Sequence, residues 1–399
     1  MNNENKLQNE IELMKQNGSK FDLIWLNEIK EELLSSNYDE VMEQIILEIT
    51  EATVELINTG VLSGISTKIN LPNVDINVYG GYSYYNSDEK IDENTLFDIA
   101  SITKFFTLLL TLKLEELGYL SLDNVIYKYS SDFKLKDFTI DDLLKMVGLI
   151  KTPKRIDECC NFEEAYQVLK EIEVISNDKE KNKYTDMGLI VLGFIIEEIV
   201  SKRLNKKMTF SEIMNYFLIQ PLGLKKTTFY PNENTAGNGV KSLFPHDKKS
   251  QVLGPIGSAG LFSNSDDLNI LSSKISDYLN YNHLSKLNYK VSSYRSLGYA
   301  GINLKHEEDI KNTFAPKEYS KFVYAHQGFT GCVLINDPLY QIHNNFLIST
   351  IKENENKKPD LFMEEYNKYQ LKIVKETLKL LLFRKINNYE NVKKVIKLS

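Results

Sequence analysis

Cysteine is scarce: Cys159, Cys160 and Cys332 are the only three in 399 residues. Two of them are sequence neighbours, which rarely bridge each other, and spaced pairs are missing, so a disulfide scaffold is not expected. A basic excess is missing too. The net charge is -7, and no stripe of Lys and Arg interleaved with aromatics stands out, which argues against a nucleic-acid surface. No apolar run is long enough to cross a membrane. The most apolar stretch, 188–200, contains Glu197 and Glu198 and falls short of the roughly 20 residues a spanning helix needs. The start, from Met1 to Lys6, is polar and shows no apolar core of signal-peptide length, so a cytoplasmic location is expected. The histidines at 246, 283, 306, 326 and 343 show no ligand spacing. Neither a metal nor another cofactor is expected.

The chain has room for two domains or for one large core with an inserted subdomain. Its 42% hydrophobic and 26% charged residues are those of an ordinary globular protein. Residues 1–36 read as an N-terminal helical extension, polar at first and then amphipathic through Phe21, Ile24, Trp25, Ile29 and Leu33. Packing against the body is the favoured role for it, ahead of partner binding. Residues 37–399 read as the main domain. Within it, 39–58 is an amphipathic helix closed by Gly60, and strand-like runs at 64–70 and 75–82 form a hairpin around Leu71-Pro72-Asn73. From 121 to 231 the signals are helical, with starts marked by Thr139/Asp142, Asn161/Glu164 and Thr209/Glu212; 236–264 is loop-rich, a further helix starts near Ser265, and the helical subdomain is expected over about 121–290. Strand patterns return at 293–304, 321–325, 331–336 and 341–350, and a last helix covers about 360–382. Strands on both sides of a helical middle predict an α+β fold, with an antiparallel sheet, flanking N- and C-terminal helices and an inserted all-helical subdomain.

The chemistry concentrates at Phe97-Asp98-Ile99-Ala100-Ser101-Ile102-Thr103-Lys104, which opens an apolar helix over 105–117 that Gly118 ends. Positions three apart share a helix face, so the Ser101 hydroxyl and the Lys104 ammonium project into one space. That is a nucleophile beside its activator. Desolvation disfavours an ammonium, so a lysine in such a helix must be paired or depressed in pKa. The same spacing recurs at Ser87/Lys90, Ser131/Lys134, Ser176/Lys179 and Ser349/Lys352, in polar stretches or towards the end of an apolar run. Only Ser101 opens a long apolar helix, the setting a rigidly held nucleophile needs. Two further polar groups stand out: Tyr184-Thr185-Asp186 at the mouth of the 188–200 helix, and His326-Gln327-Gly328-Phe329-Thr330-Gly331. Each has a blander reading: Tyr184 as an aromatic at a helix start, Asp186 as an N-cap, His326 as a structural strand residue. Cys332 reads as core rather than as a thiol nucleophile.

Taken in order, these groups resemble the serine β-lactamase and penicillin-binding-protein superfamily, in particular its class C-like branch with family VIII esterases and D-aminopeptidases. The resemblance covers roughly residues 40–350 and includes Pro221-Leu222-Gly223-Leu224 and Gly260-Leu261-Phe262-Ser263. It implies a β-lactamase/transpeptidase-like fold and a covalent acyl-enzyme on Ser101. Lys104 and Tyr184 would share the proton work, and sequence leaves open which is the base. The oxyanion hole would use the backbone amides of Ser101 and Phe329. Asp186, His326 and Gly328 would contact substrate, the glycine by letting it approach the strand closely.

Departures from the family pattern shape the expected function. Asp186 stands where the branch has an amide, and is expected to pair with Lys104 instead. His326 stands where many relatives have lysine, and a largely neutral imidazole holds a carboxylate less well. Leu143-Leu144-Lys145-Met146-Val147-Gly148 replaces a His-Thr-Ser-Gly stretch. The expected activity is hydrolysis of an ester or amide in a small-molecule or peptide acyl substrate. Alternatives are a penicillin-binding-type D,D-peptidase or β-lactamase, an acyltransferase, and, from another class, a non-catalytic binding or sensing module on the same fold.

Overall fold

The computed structural model describes residues 2–34, 37–180, 182–231, 235–236, 243–291, 297–305, 314–350, 359–387 and 391–398. Its scaffold is a seven-stranded sheet. In chain order the strands are β1 (Leu62–Leu71), β2 (Val74–Gly81), β3 (Asn303–Leu304), β4 (Tyr324–Gln327), β5 (Val333–Asp337), β6 (Ile342–Thr350) and β7 (Val392–Lys397). They lie side by side as β7-β2-β1-β6-β5-β4-β3. All neighbours are antiparallel except β7, which runs parallel to β2.

Alternation along these strands builds two cores, one on each face of the sheet. Val333 and Ile335 on β5, with Phe346 and Ile348 on β6, join one cluster. Leu334 and Leu347, between them in sequence, join the other. The first face is covered by α1 (Asn3–Gln16), α2 (Leu23–Leu34), α3 (Tyr38–Asn58) and the C-terminal helix Pro359–Ile386. Leu7, Ile11 and Met14 of α1, and Trp25, Ile29 and Leu33 of α2, are buried in that cluster. Ile24 departs from the expected stripe and is exposed, because α2 turns the face carrying Trp25, Ile29 and Leu33 inward. The second face carries α4 (Thr103–Glu116), α5 (Met187–Leu204), α6 (Lys248–Leu253) and α7 (Ser265–Tyr278). On α4 every residue from Thr103 to Leu112 is buried, so the helix bearing the candidate nucleophile is a core element.

The three marked helix starts form their caps: Thr139 and Thr209 as reciprocal capping boxes, and Asn161 by accepting from the Glu164 amide. The helical middle also holds a short ribbon, Leu149–Lys151 with Glu173–Ser176, in which the second strand is exposed throughout and carries no burial pattern to read. Of the strand expected at 293–304, residues 293–296 lie outside the described residues. The rest forms a turn at Tyr299–Gly301 and only the two-residue β3, because Ala300 and Gly301 take positive φ values of 53° and 78°. No helix among the described residues is long and apolar enough to cross a membrane.

Candidate active site

Ser101 sits in a one-turn 3-10 segment, Ala100–Ile102, that runs directly into α4. Three attachments hold that turn. Asp98 Oδ1 accepts from the Ala100 amide at 2.9 Å, the Ile99 amide donates to the Leu261 carbonyl at 3.1 Å, and Thr330 Oγ1 donates to the Asp98 carbonyl at 2.7 Å. They offset the cost of Ala100, whose φ of 46° lies in the left-handed region that costs a non-glycine residue about 1 kcal/mol or more. Gly328 presses on the same turn, since a Cβ there would stand 2.6 Å from the Ile99 carbonyl oxygen. Its missing side chain thus makes room for the nucleophile's own backbone.

Lys104 is fully buried one turn on. Its Nζ donates to Ser101 Oγ and to the Ser258 carbonyl, each at 2.8 Å, and pairs with Asp186 Oδ1 at 2.8 Å. Three N–H bonds meet three acceptors. Of the two routes open to a buried lysine, pairing is the one realised. Burial pushes the Lys104 pKa down, but the Asp186 carboxylate and the hydrogen bonding to Asp186 and Tyr184 outweigh it and the net direction is up. Lys104 is therefore an ammonium at neutral pH.

Asp186 stands at the N-terminus of α5 but makes no cap hydrogen bond. Its carboxylate is committed sideways, Oδ1 to Lys104 and Oδ2 to Lys249 Nζ at 3.2 Å. Burial pushes the Asp186 carboxyl up, and the two lysines more than reverse it, so it stays below the usual carboxylate range. Lys249, on the short helix α6, also pairs with Asp247 at 2.7 Å. Sequence reading missed Lys249, which lies in a loop-rich stretch without a spacing signal. One hint was available: a buried acid beside one lysine has a second oxygen to match.

Tyr184 is 38% exposed, with its ring centroid 5.2 Å from Lys104 Nζ. The ring lies against Gly301, where a Cβ would come within 2.4 Å of Tyr184 Cε2. The Tyr299–Gly301 turn behind it is tied to His326, whose Nε2 is 3.0 Å from the Ala300 carbonyl. His326 is 2% exposed, and burial, helped by the Lys104 charge, pushes its pKa down to about 4. The ring is thus neutral at pH 7, and its two nitrogens face two backbone carbonyls, Nε2 that of Ala300 and Nδ1 that of Gln327 at 3.2 Å, so its single N–H serves one of them. Buried and bonded to the backbone, His326 buttresses the turn on which Tyr184 rests. Behind Tyr184, the Lys183 amide donates to the Met146 carbonyl at 3.0 Å and Val147 bridges Asn182, so the altered 145–147 stretch supports this backbone.

Phe329 is 83% exposed and stacks on His246, ring centroids 5.4 Å apart at 8°. His246 in turn lies with Nδ1 3.0 Å from Asp98 Oδ2, and its amide donates to the same oxygen at 2.7 Å. The residues from His246 to Lys249 therefore reach both the turn before Ser101 and Asp186. Cys332 is buried and its thiol is pushed up to about 12 by burial, which fits a core residue and not a nucleophile. Among the described residues no group of three or more His, Cys, Asp or Glu is placed to hold a metal.

The buried histidines carry a prediction of their own. His326 and His343 are both pushed to about 4 by burial, from an ordinary 6.5. Between those values the unfolded chain binds more protons than the folded one, so stability falls as pH falls from about 6.5 to 4. Tm followed across that window is expected to drop, and His343→Gln to flatten part of the slope; an identical slope in the variant would contradict this account.

The profile of the Beta-lactamase family matches residues 73–357, a stretch that contains Ser101, Lys104, Tyr184, Asp186 and His326. The chain is 27% identical over 312 residues to an N-acetylmuramyl-L-alanine amidase of Bacillus subtilis (strain 168), covering 66% of this chain and 70% of that one. It is 31% identical over 159 residues to a teichoic acid D-alanine hydrolase of Staphylococcus aureus, but covers only 38% of either protein. In fold it is similar to EstCE1, described as a hydrolase with promiscuous acyltransferase activity, with a TM-score of 0.65 at 16% identity over 82% of this chain and 98% of that one. With the family profile spanning well over half of its length, the chain belongs to the Beta-lactamase family and is a hydrolase of that fold.

Proposed function

We propose that the chain is a serine hydrolase that cleaves an ester or amide through an acyl-Ser101 intermediate. The observation that carries this reading is the contact of 2.8 Å between the buried Lys104 ammonium and Ser101 Oγ, at a turn fixed from both sides. An ammonium has no lone pair, so it cannot take the Ser101 proton. The base is Tyr184 in its phenolate form, which the Lys104 ammonium beside the ring favours; it takes the Ser101 proton and becomes the neutral phenol. As Ser101 Oγ bonds to the carbonyl carbon, the backbone N–H groups of Ser101 and Phe329 receive the developing oxyanion. Tyr184 then returns the proton to the leaving alcohol or amine, and water repeats the sequence in reverse to free Ser101. Asp186 keeps Lys104 charged and aimed.

The substrate class is a small-molecule or peptide acyl compound. The names of the two sequence relatives, an N-acetylmuramyl-L-alanine amidase and a teichoic acid D-alanine hydrolase, support amides and esters that involve alanine as the first to test. A buried, neutral His326 offers no cation for a substrate carboxylate, which favours this reading over a D,D-peptidase or β-lactamase. The test follows dye release from p-nitrophenyl esters and anilides, those of D- and L-alanine included, alongside intact protein mass. Continuous release with a transient adduct that maps to the Ser101 peptide is the expected result. A single stoichiometric burst whose adduct never clears would favour the sensing module. No release and no adduct with any of these compounds would overturn the proposal.

A further inference from the structure

The serine-hydrolase reading leaves Lys249 without a role, although it is half-buried and reaches into the centre of the site. We propose that Lys249 is a positioning residue: it holds the second oxygen of Asp186, so that a carboxylate can stand beside Lys104 without drawing its ammonium off Ser101. The inference rests on that reading of Ser101 and Lys104.

The geometry is a relay of alternating charges. Asp247 accepts from the Ser250 amide at 3.2 Å at the start of α6 and pairs with Lys249 at 2.7 Å. Lys249 meets Asp186 Oδ2 at 3.2 Å, Asp186 Oδ1 meets Lys104 at 2.8 Å, and Lys104 meets Ser101 Oγ at 2.8 Å. Each carboxylate oxygen of Asp186 thus has its own ammonium. A carboxylate oxygen that has lost its own cation is attracted to the one that remains. With Lys249 gone, the free Oδ2 competes with Ser101 Oγ and the Ser258 carbonyl for the three Lys104 hydrogens. The other charged or titratable groups facing this relay are Tyr184, the neutral His326, and Asp157, which feels the Lys249 charge. None of them replaces the lost cation.

A double-mutant cycle tests this in the full chain, using kcat/KM for the best p-nitrophenyl substrate across pH. Lys249→Met is expected to lose on the order of tenfold or more. Its acid limb is expected to move to higher pH, because one of the two cations that hold the Asp186 carboxyl down is gone. Lys249→Arg keeps the charge and is expected to retain most of the activity. In an Asp186→Asn background there is no carboxylate to share, so adding Lys249→Met is expected to cost little further. An equal fold loss in both backgrounds, or an acid limb that stays in place, overturns the coupling while leaving the hydrolase intact. Absence of Ser101-dependent turnover in the wild type overturns the reading of the site, and this inference with it.

Discussion

In Ser101→Ala the protein is expected to fold as the wild type does and to lose turnover by at least about 10⁴-fold, with no acyl adduct in its mass spectrum. The two halves of this expectation have separate causes. Folding is spared because the turn around Ser101 is fixed by backbone and neighbouring groups: the Asp98 carboxylate, the Leu261 carbonyl and Thr330. The hydroxyl itself contributes one hydrogen bond with the charged Lys104, worth about 1.5–3 kcal/mol, and Lys104 keeps the Ser258 carbonyl and Asp186. Turnover is lost because neither Cys332 nor another nucleophile takes its place: the Cys332 thiol is buried and pushed to about 12. Retention of even a few per cent of wild-type rate in Ser101→Ala, with Tm unchanged, would remove the acyl-Ser101 mechanism.

What could be read from the sequence and what could not divide along distance in the chain. Ser101 and Lys104 are three residues apart on one helix face, so their contact was legible from periodicity. Thr139, Asn161 and Thr209 announce their helices for the same local reason. Tyr184 and Asp186 needed the family pattern, because nothing local says that the start of α5 meets the start of α4. Lys249 and His246 were missed: their partners Asp186 and Asp98 lie far along the chain, and a lysine or histidine in a polar loop has no distinctive surroundings in sequence. The strand β7 was missed for a related reason. Its residues Lys393, Lys394 and Val395 are exposed, and its pairing with β2 depends on where the C-terminal helix delivers it. Leu7, Ile11 and Met14 form a buried stripe too diluted by polar neighbours to have stood out. For Gly328 and His326 the residues were found but their partners were not, since only the fold brings Gly328 against Ile99 and His326 against Ala300.

Lys104→Met tests whether catalysis and stability can be separated at this site. Methionine keeps much of the buried apolar volume of the lysine stem, so packing is largely kept, but three acceptors lose their donor. Turnover is expected to fall by about 10³-fold or more, because neither the Ser101 oxygen nor a charged Tyr184 has its cation. Stability is expected to fall by about 2–4 kcal/mol, towards the lower part of the range for a broken buried pair because Asp186 is partly exposed and keeps Lys249. The added change Asp186→Asn removes the orphaned carboxylate. In Lys104→Met/Asp186→Asn much of the lost Tm is therefore expected to return while turnover stays at the single-mutant level, since an amide relieves the buried charge but supplies no cation to Ser101. Recovery of both quantities would make Lys104 a structural counter-ion, and recovery of neither would mean that the Ser258 carbonyl, and not Asp186, is the group that most needs the ammonium.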